Sequence, residues 1–167
     1  MKNTSDQYNL EHYGLKFQHI GLIVDDVNEA AKFFSLIPGV SSFRYLEASF
    51  EEKDMRVGIP SKIISVLFKI GDLTYEFVQA TDGPHSYQAK AAEVRNGFHH
   101  VAYSIENEEV FAEFVKNMKD KYTVVWAADF GDCHGYYFAP KEGSGMVLEI
   151  SNVAPELEPL LKDFIVK

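Results

Sequence analysis

Four residues of this 167-residue chain have the types and placement needed to hold a divalent ion. A strand-like segment, Phe17-Gln18-His19-Ile20-Gly21-Leu22-Ile23-Val24, carries a histidine near its start, and a later one, Leu73-Thr74-Tyr75-Glu76-Phe77-Val78, carries a glutamate in its middle. The pattern then recurs, with His100 in Phe98-His99-His100-Val101-Ala102-Tyr103-Ser104-Ile105 and Glu149 in Met146-Val147-Leu148-Glu149-Ile150-Ser151. A duplicated module with one imidazole and one carboxylate per copy can build a single site from His19, Glu76, His100 and Glu149. Such donors suit one divalent ion, Zn, Ni, Co, Mn or Fe.

Strand parity supports this reading. Successive side chains of a strand point to opposite faces, so His19 shares a face with Phe17, Gly21 and Ile23, while Ile20, Leu22 and Val24 line the other. His100 shares its face with Phe98, Ala102 and Ser104, opposite Val101, Tyr103 and Ile105. Each histidine thus stands two residues before a very small one, Gly21 or Ala102, which leaves room for a ligand. Glu149 falls opposite Met146, Leu148 and Ile150, and Glu76 opposite Tyr75 and Phe77. All four therefore lie opposite an apolar face expected to pack on helices. A lone strand histidine is most often a hydrogen-bonded core or surface residue, and a glutamate on the wet face of an antiparallel sheet is common. An unpaired carboxylate inside an apolar core is costly. The repetition of both residue types in register favours ligation.

The remaining titratable groups carry less weight. By the same parity His99 faces helices or solvent. His12 lies in a polar extension, His85 in a linker loop, and His134 at the start of a strand that could border the cavity. Cys133 has no cationic surroundings to activate a thiolate and reads as a small buried residue.

Composition sets the outer bounds. A chain of this length is one large domain or two small halves with a shared core, and 46% hydrophobic residues with 13 Phe and 9 Tyr supply that core. The net charge of −9 offers no basic field for nucleic acid or anionic membrane surfaces. No apolar run reaches the roughly 20 residues of a membrane span. The polar start, Met1 to Tyr13, lacks the apolar stretch of a signal peptide, and a single cysteine suits a reducing compartment. A cytoplasmic protein is expected.

Patterning along the chain gives a polar extension over 1–14, a first module over 15–81, a linker with a short helix (Tyr87 to Val94) over 82–96, a second module over 97–152, and a C-terminal helix over 153–167. Each module reads as strand, helix, then three strands. The first helix begins at Asp25-Asp26 and ends before Pro38-Gly39. The second spans about Glu108 to Lys121, with Val110, Phe111, Phe114, Val115 and Met118 as its apolar stripe. Gly71-Asp72 turns two strands into a hairpin. The expected fold is α+β, with two βαβββ modules forming a curved mixed sheet around a central metal-binding cavity. Each module alone ends in an open sheet edge and half a site, so the two must pair within one chain or between chains.

Paired βαβββ modules with His, Glu, His and Glu on their inner strands resemble the vicinal oxygen chelate superfamily, which includes glyoxalase I, methylmalonyl-CoA epimerase and the extradiol dioxygenases. The resemblance covers about residues 15 to 152. Gly97-Phe98-His99-His100-Val101-Ala102, Ile70-Gly71-Asp72-Leu73-Thr74-Tyr75-Glu76-Phe77, and Pro140-Lys141 followed by Gly145-Met146-Val147-Leu148-Glu149 are similar to the epimerase-like, glyoxalase-related branch. The epimerases also carry a Glu that serves as a second base. It aligns with Pro60 here, and Glu51 and Glu52 lie upstream of that position.

The resemblance implies a metal-dependent isomerase or lyase that removes a proton next to a carbonyl. Four protein ligands on a six-coordinate ion leave two adjacent positions for two vicinal substrate oxygens, and the ion stabilises the negative charge that develops there. Glu149 is the first candidate for the base and Glu76 the second. The substrate would be a small carbonyl compound or thioester, and a homodimer is the common assembly of the superfamily. Two alternatives stand beside this one. An Fe(II) dioxygenase ordinarily uses two His and one carboxylate, which the fourth ligand Glu76 disfavours. A metal-free, antibiotic-binding protein of the same superfamily would not be expected to keep all four ligands.

Overall fold

The computed structural model describes residues 12–82, 97–142, 147–152 and 160–166. Asp26 opens the first helix, α1 (Val27–Phe34), by accepting hydrogen bonds on its carboxylate from the Asn28 and Glu29 backbone N–H groups. Asn107 does the same for Val110 at the start of α2 (Glu108–Lys121). Both helices turn an apolar stripe inward: Val27 and Ala31 in α1, and Phe111, Phe114, Val115 and Met118 in α2.

The strands are β1 (Lys16–Ile23), β2 (Arg44–Phe50), β3 (Met55–Val57), β4 (Ser61–Ile70), β5 (Leu73–Asp82), β6 (Gly97–Ser104), β7 (Thr123–Phe130), β8 (Cys133–Ala139), β9 (Val147–Ser151) and β10 (Lys162–Asp163). Gly71, with φ of 61°, makes the tight β4–β5 turn in a backbone region that side chains disfavour. Among the described residues all ten strands form one mixed sheet, in the order β10-β2-β4-β5-β1-β6-β9-β8-β7-β3. The order mirrors itself about the β1–β6 pair. Each module thus contributes a four-stranded half, β2-β4-β5-β1 or β6-β9-β8-β7, and the halves meet antiparallel within one chain.

Two short strands cross between halves and had no sequence signal. β3 leaves the first module to pair with β7 of the second. β10 returns from beyond the second module to pair with β2 of the first. A C-terminal helix over 153–167 is therefore corrected at Lys162 and Asp163, which are extended because the unpaired edge of β2 offers them backbone partners. Residues 153–159 lie outside the described residues, as do the helix at Tyr87 to Val94 and His85. On β3, Arg56 ties the modules together by an ion pair with Asp129 at 2.9 Å and a hydrogen bond to the Tyr136 hydroxyl at 2.7 Å.

Three apolar clusters follow from this layout. One packs α1 on the outer face of the first half through Phe43, Val66, Phe68 and Phe77. A second packs α2 on the outer face of the other half through Tyr136, Phe138 and Ile150. The third fills the concave inner side with residues of both halves, among them Ile23, Ile63, Val78, Trp126 and Val147. None of the described helices is long and apolar enough to cross a membrane.

Candidate metal centre

The antiparallel β1–β6 pair brings the two copies of the motif together. His19 stands opposite Ala102, and Gly21 opposite His100. The parallel neighbours then add the carboxylates, with Glu76 beside Gly21 and Glu149 beside Ala102. The small residue of each copy thus sits between the glutamate of its own module and the histidine of the other. At Gly21 the room is essential: a Cβ there would lie 1.9 Å from Cε1 and 2.1 Å from Nε2 of the His100 ring.

All four side chains converge. His19 Nε2 lies 3.2 Å from Glu76 Oε2 and 3.4 Å from Glu149 Oε2, and His100 Nε2 lies 3.4 and 3.1 Å from the same two atoms. The two Nε2 atoms are 3.2 Å apart, and each residue offers a donor atom within 4.8 Å of all the others. Donors about 2.1 Å from a common ion stand roughly 3.0 Å apart at right angles and 3.4 Å apart in a tetrahedron. The observed separations match such a shell, and the nitrogen and oxygen donors suit a borderline divalent ion. The four residues fit a metal.

Without an ion, the cluster is a buried double ion pair. Burial alone would lower the His19 pKa, but the negative charge of Glu76 and the hydrogen bond to Glu149 outweigh it and raise it to about 10. Burial likewise opposes ionisation of Glu76, yet the His19 charge and the His100 hydrogen bond bring it down to about 2. The same opposition raises His100 and lowers Glu149. His19 is therefore protonated near pH 7 in the metal-free protein and must lose that proton to ligate, and the same carboxylates favour the protonated form of His100. Metal binding at pH 7 is expected to release at least one proton per ion, and apparent affinity is expected to climb as pH rises towards 10. Calorimetry in buffers of different ionisation enthalpy measures this, and binding with no proton release would contradict it.

Two β-bulges change what parity predicted. In β1 the residue Gln18 is left out of the pairing between Phe17 and His19, and in β6 His99 is left out between Phe98 and His100. Each bulge immediately precedes a cluster histidine. His99, expected to face helices or solvent, is instead buried with its Nδ1 2.9 Å from Nδ1 of His100 and its ring 6.0 Å from that of Tyr137. This contact orients the His100 ring so that Nε2 faces the cluster. Replacing His99 with Ala should weaken metal binding by about 10- to 100-fold, the usual effect of losing an orienting partner. Unchanged affinity by titration would remove that role.

Tyr137 was missed by the sequence reading. Its hydroxyl donates to Glu149 Oε2 at 2.8 Å, because the β8–β9 register sets the two residues opposite each other. In the first module Leu67 holds the equivalent place opposite Glu76 and has no hydroxyl to offer. A cavity of about 350 Å³ opens on the cluster, lined by His19, Glu76 and Glu149 together with Gln18, Tyr137 and a largely apolar wall.

A family model described as the glyoxalase/bleomycin resistance protein/dioxygenase superfamily matches residues 18–139. The chain belongs to this superfamily. Among solved structures, a variant of Streptomyces coelicolor methylmalonyl-CoA epimerase in complex with 2-nitronate-propionyl-CoA matches with a TM-score of 0.57 at 16% identity, covering 84% of this chain and 95% of that one. Methylmalonyl-CoA epimerase from Mycobacterium tuberculosis matches with a TM-score of 0.54 at 16% identity, covering 86% and 91%. A hypothetical protein from Bacillus halodurans matches with a TM-score of 0.52, also at 16% identity, covering 82% and 93%. At this identity the likeness is one of fold. No curated protein sequence matches the chain.

The superfamily fold also locates the other residues considered. Pro60, Glu51 and Glu52 line a separate surface depression rather than the cavity, and Glu51 pairs with Lys53 at 2.8 Å. His134 does not border the cavity: its neighbours Cys133 and Gly135 do, while its own ring binds Asp129 at 2.7 Å. His12 is exposed. Cys133 is half-buried, with its Sγ 3.3 Å from the Asn152 carbonyl oxygen.

Proposed function

We propose that this superfamily member is a metal-dependent isomerase or lyase that removes a proton next to the carbonyl of a small substrate. The observation that carries the reading is the position of the cluster: a set of four residues that fits an ion forms part of the wall of a cavity able to admit a small molecule. A divalent ion (Zn, Ni, Co, Mn or Fe) held by His19, Glu76, His100 and Glu149 would supply Lewis-acid stabilisation of negative charge developing on the substrate oxygens.

The protein's own groups divide the remaining work. Among the described residues Glu76 and Glu149 are the only carboxylates that line the cavity, and one of them takes the proton. Glu149 has the better placement, because the Tyr137 hydroxyl holds Oε2 and leaves Oε1 to receive the proton. Glu76, beside Leu67, serves as a constant anion that keeps the imidazoles aimed at the centre. The apolar wall excludes water and so strengthens these charges. With Pro60, Glu51 and Glu52 outside the cavity, Glu149 has no carboxylate neighbour in the cavity wall among the described residues except Glu76, which belongs to the metal set, and proton exchange is expected at one face of the substrate.

Deuterium incorporation from heavy water into 2-oxoaldehyde thiol adducts and 2-methyl-branched acyl thioesters tests the reading. Stereospecific exchange that depends on added metal is expected. A metal-loaded protein inert towards every enolisable carbonyl compound of this size would overturn it.

A further inference from the structure

Strand alternation decides what lines the cavity beyond the metal cluster. Leu46, Ala48 and Phe50 of β2 and Trp126, Ala128 and Phe130 of β7 line it, one row from each half of the sheet, while Arg44, next in the β2 row and opposite Leu67, donates to the Leu161 carbonyl oxygen at 2.9 Å. Ile63 and Leu67 of β4 extend the first row. Gly135 leaves the space in which Trp126 lies, since a Cβ there would stand 3.2 Å from its ring. The Trp126 ring meets Phe50 edge-on at 5.2 Å and Tyr137 edge-on at 5.0 Å, so an aromatic band runs from the far wall to the residue that holds Glu149. Among the described lining residues none is a lysine or arginine. The apolar area is therefore matched to an uncharged group.

We propose that the substrate presents its two vicinal oxygens to the cluster and carries an uncharged aryl or branched alkyl group that packs against Phe50, Trp126 and Phe130. This inference rests on the metal reading above and adds the class of substrate.

Hydroxamates test it, because they offer two vicinal oxygens on a side group of choice. The protein is first loaded with zinc and its metal content measured. Phenylacetohydroxamate and acetohydroxamate are then titrated, read by the fluorescence of Trp126, the chain's single tryptophan. Phenylacetohydroxamate is expected to bind at least about tenfold more tightly, as burial of a phenyl group requires. Phe130→Ala should reduce that ratio, and Leu46→Ala on the opposite row serves if the first variant does not fold. Zinc-loaded protein that binds both hydroxamates equally overturns the inference and leaves the metal reading intact. Protein that takes up no zinc defeats the metal reading and this inference with it.

Discussion

Gly21→Ala is expected to remove metal binding although Gly21 itself supplies no ligand atom. The added methyl would occupy space already filled by the His100 ring, at 1.9 to 2.4 Å from its atoms. That ring is 1% exposed, so it has no solvent to swing into and must leave the cluster or push β1 from β6. Forcing a methyl into a packed interior costs roughly 1–3 kcal/mol of stability. Displacing a ligand should lower metal affinity by more than about 100-fold, beyond the loss typical of an orienting partner. Ala102 occupies the equivalent place opposite His19 and already carries a methyl group there. Ala102→Gly should therefore leave metal affinity within a few-fold of the native value. Calorimetric titration of both variants, with thermal unfolding as a check on folding, measures the contrast. A Gly21→Ala protein that binds metal normally would show that His100 is not a ligand.

Glu149→Gln should retain metal yet lose proton transfer. The amide keeps an oxygen for the ion and for the Tyr137 hydroxyl, which now lies 2.8 Å from Oε2, but it cannot accept the substrate proton. Loss of a positioned general base lowers turnover by about 10²–10⁴-fold. Glu76→Gln should reduce exchange less, since no hydroxyl stands opposite it to hold a base in place. Solvent deuterium exchange on both variants at matched metal occupancy separates the roles. Full exchange by Glu149→Gln would transfer the base to Glu76, and racemisation by the native protein would show that another residue supplies a second base.

The parts of this fold that repeat a simple period could be read from the chain. The Phe111-Phe114-Val115-Met118 stripe gave α2 its bounds, and Gly71-Asp72 gave the β4–β5 hairpin. Alternation put His19, Gly21 and Ile23 on the inner face and Leu22 on the α1 side, where Ile23 and Leu22 pack in separate clusters. What escaped depends on interactions between distant segments. A bulge is an irregularity of pairing with no mark in the alternation, so His99 was expected to face helices or solvent, and Phe17 and Phe98, which stand opposite Tyr103 and Leu22, were placed on the histidine face. Tyr137 reaches Glu149 only through the β8–β9 register, which sequence spacing leaves open. β3 and β10 are three and two residues long, too short for any periodic signal, and exist because the outer edges of β7 and β2 are free to receive them.

Elemental analysis of protein purified without chelator tests the central claim most directly. The four converging side chains predict close to one divalent ion per chain, lost in His100→Ala and restored to the native protein after chelation by adding back zinc, nickel or cobalt. Native protein that holds no divalent ion even after such addition, while remaining folded, would contradict the account.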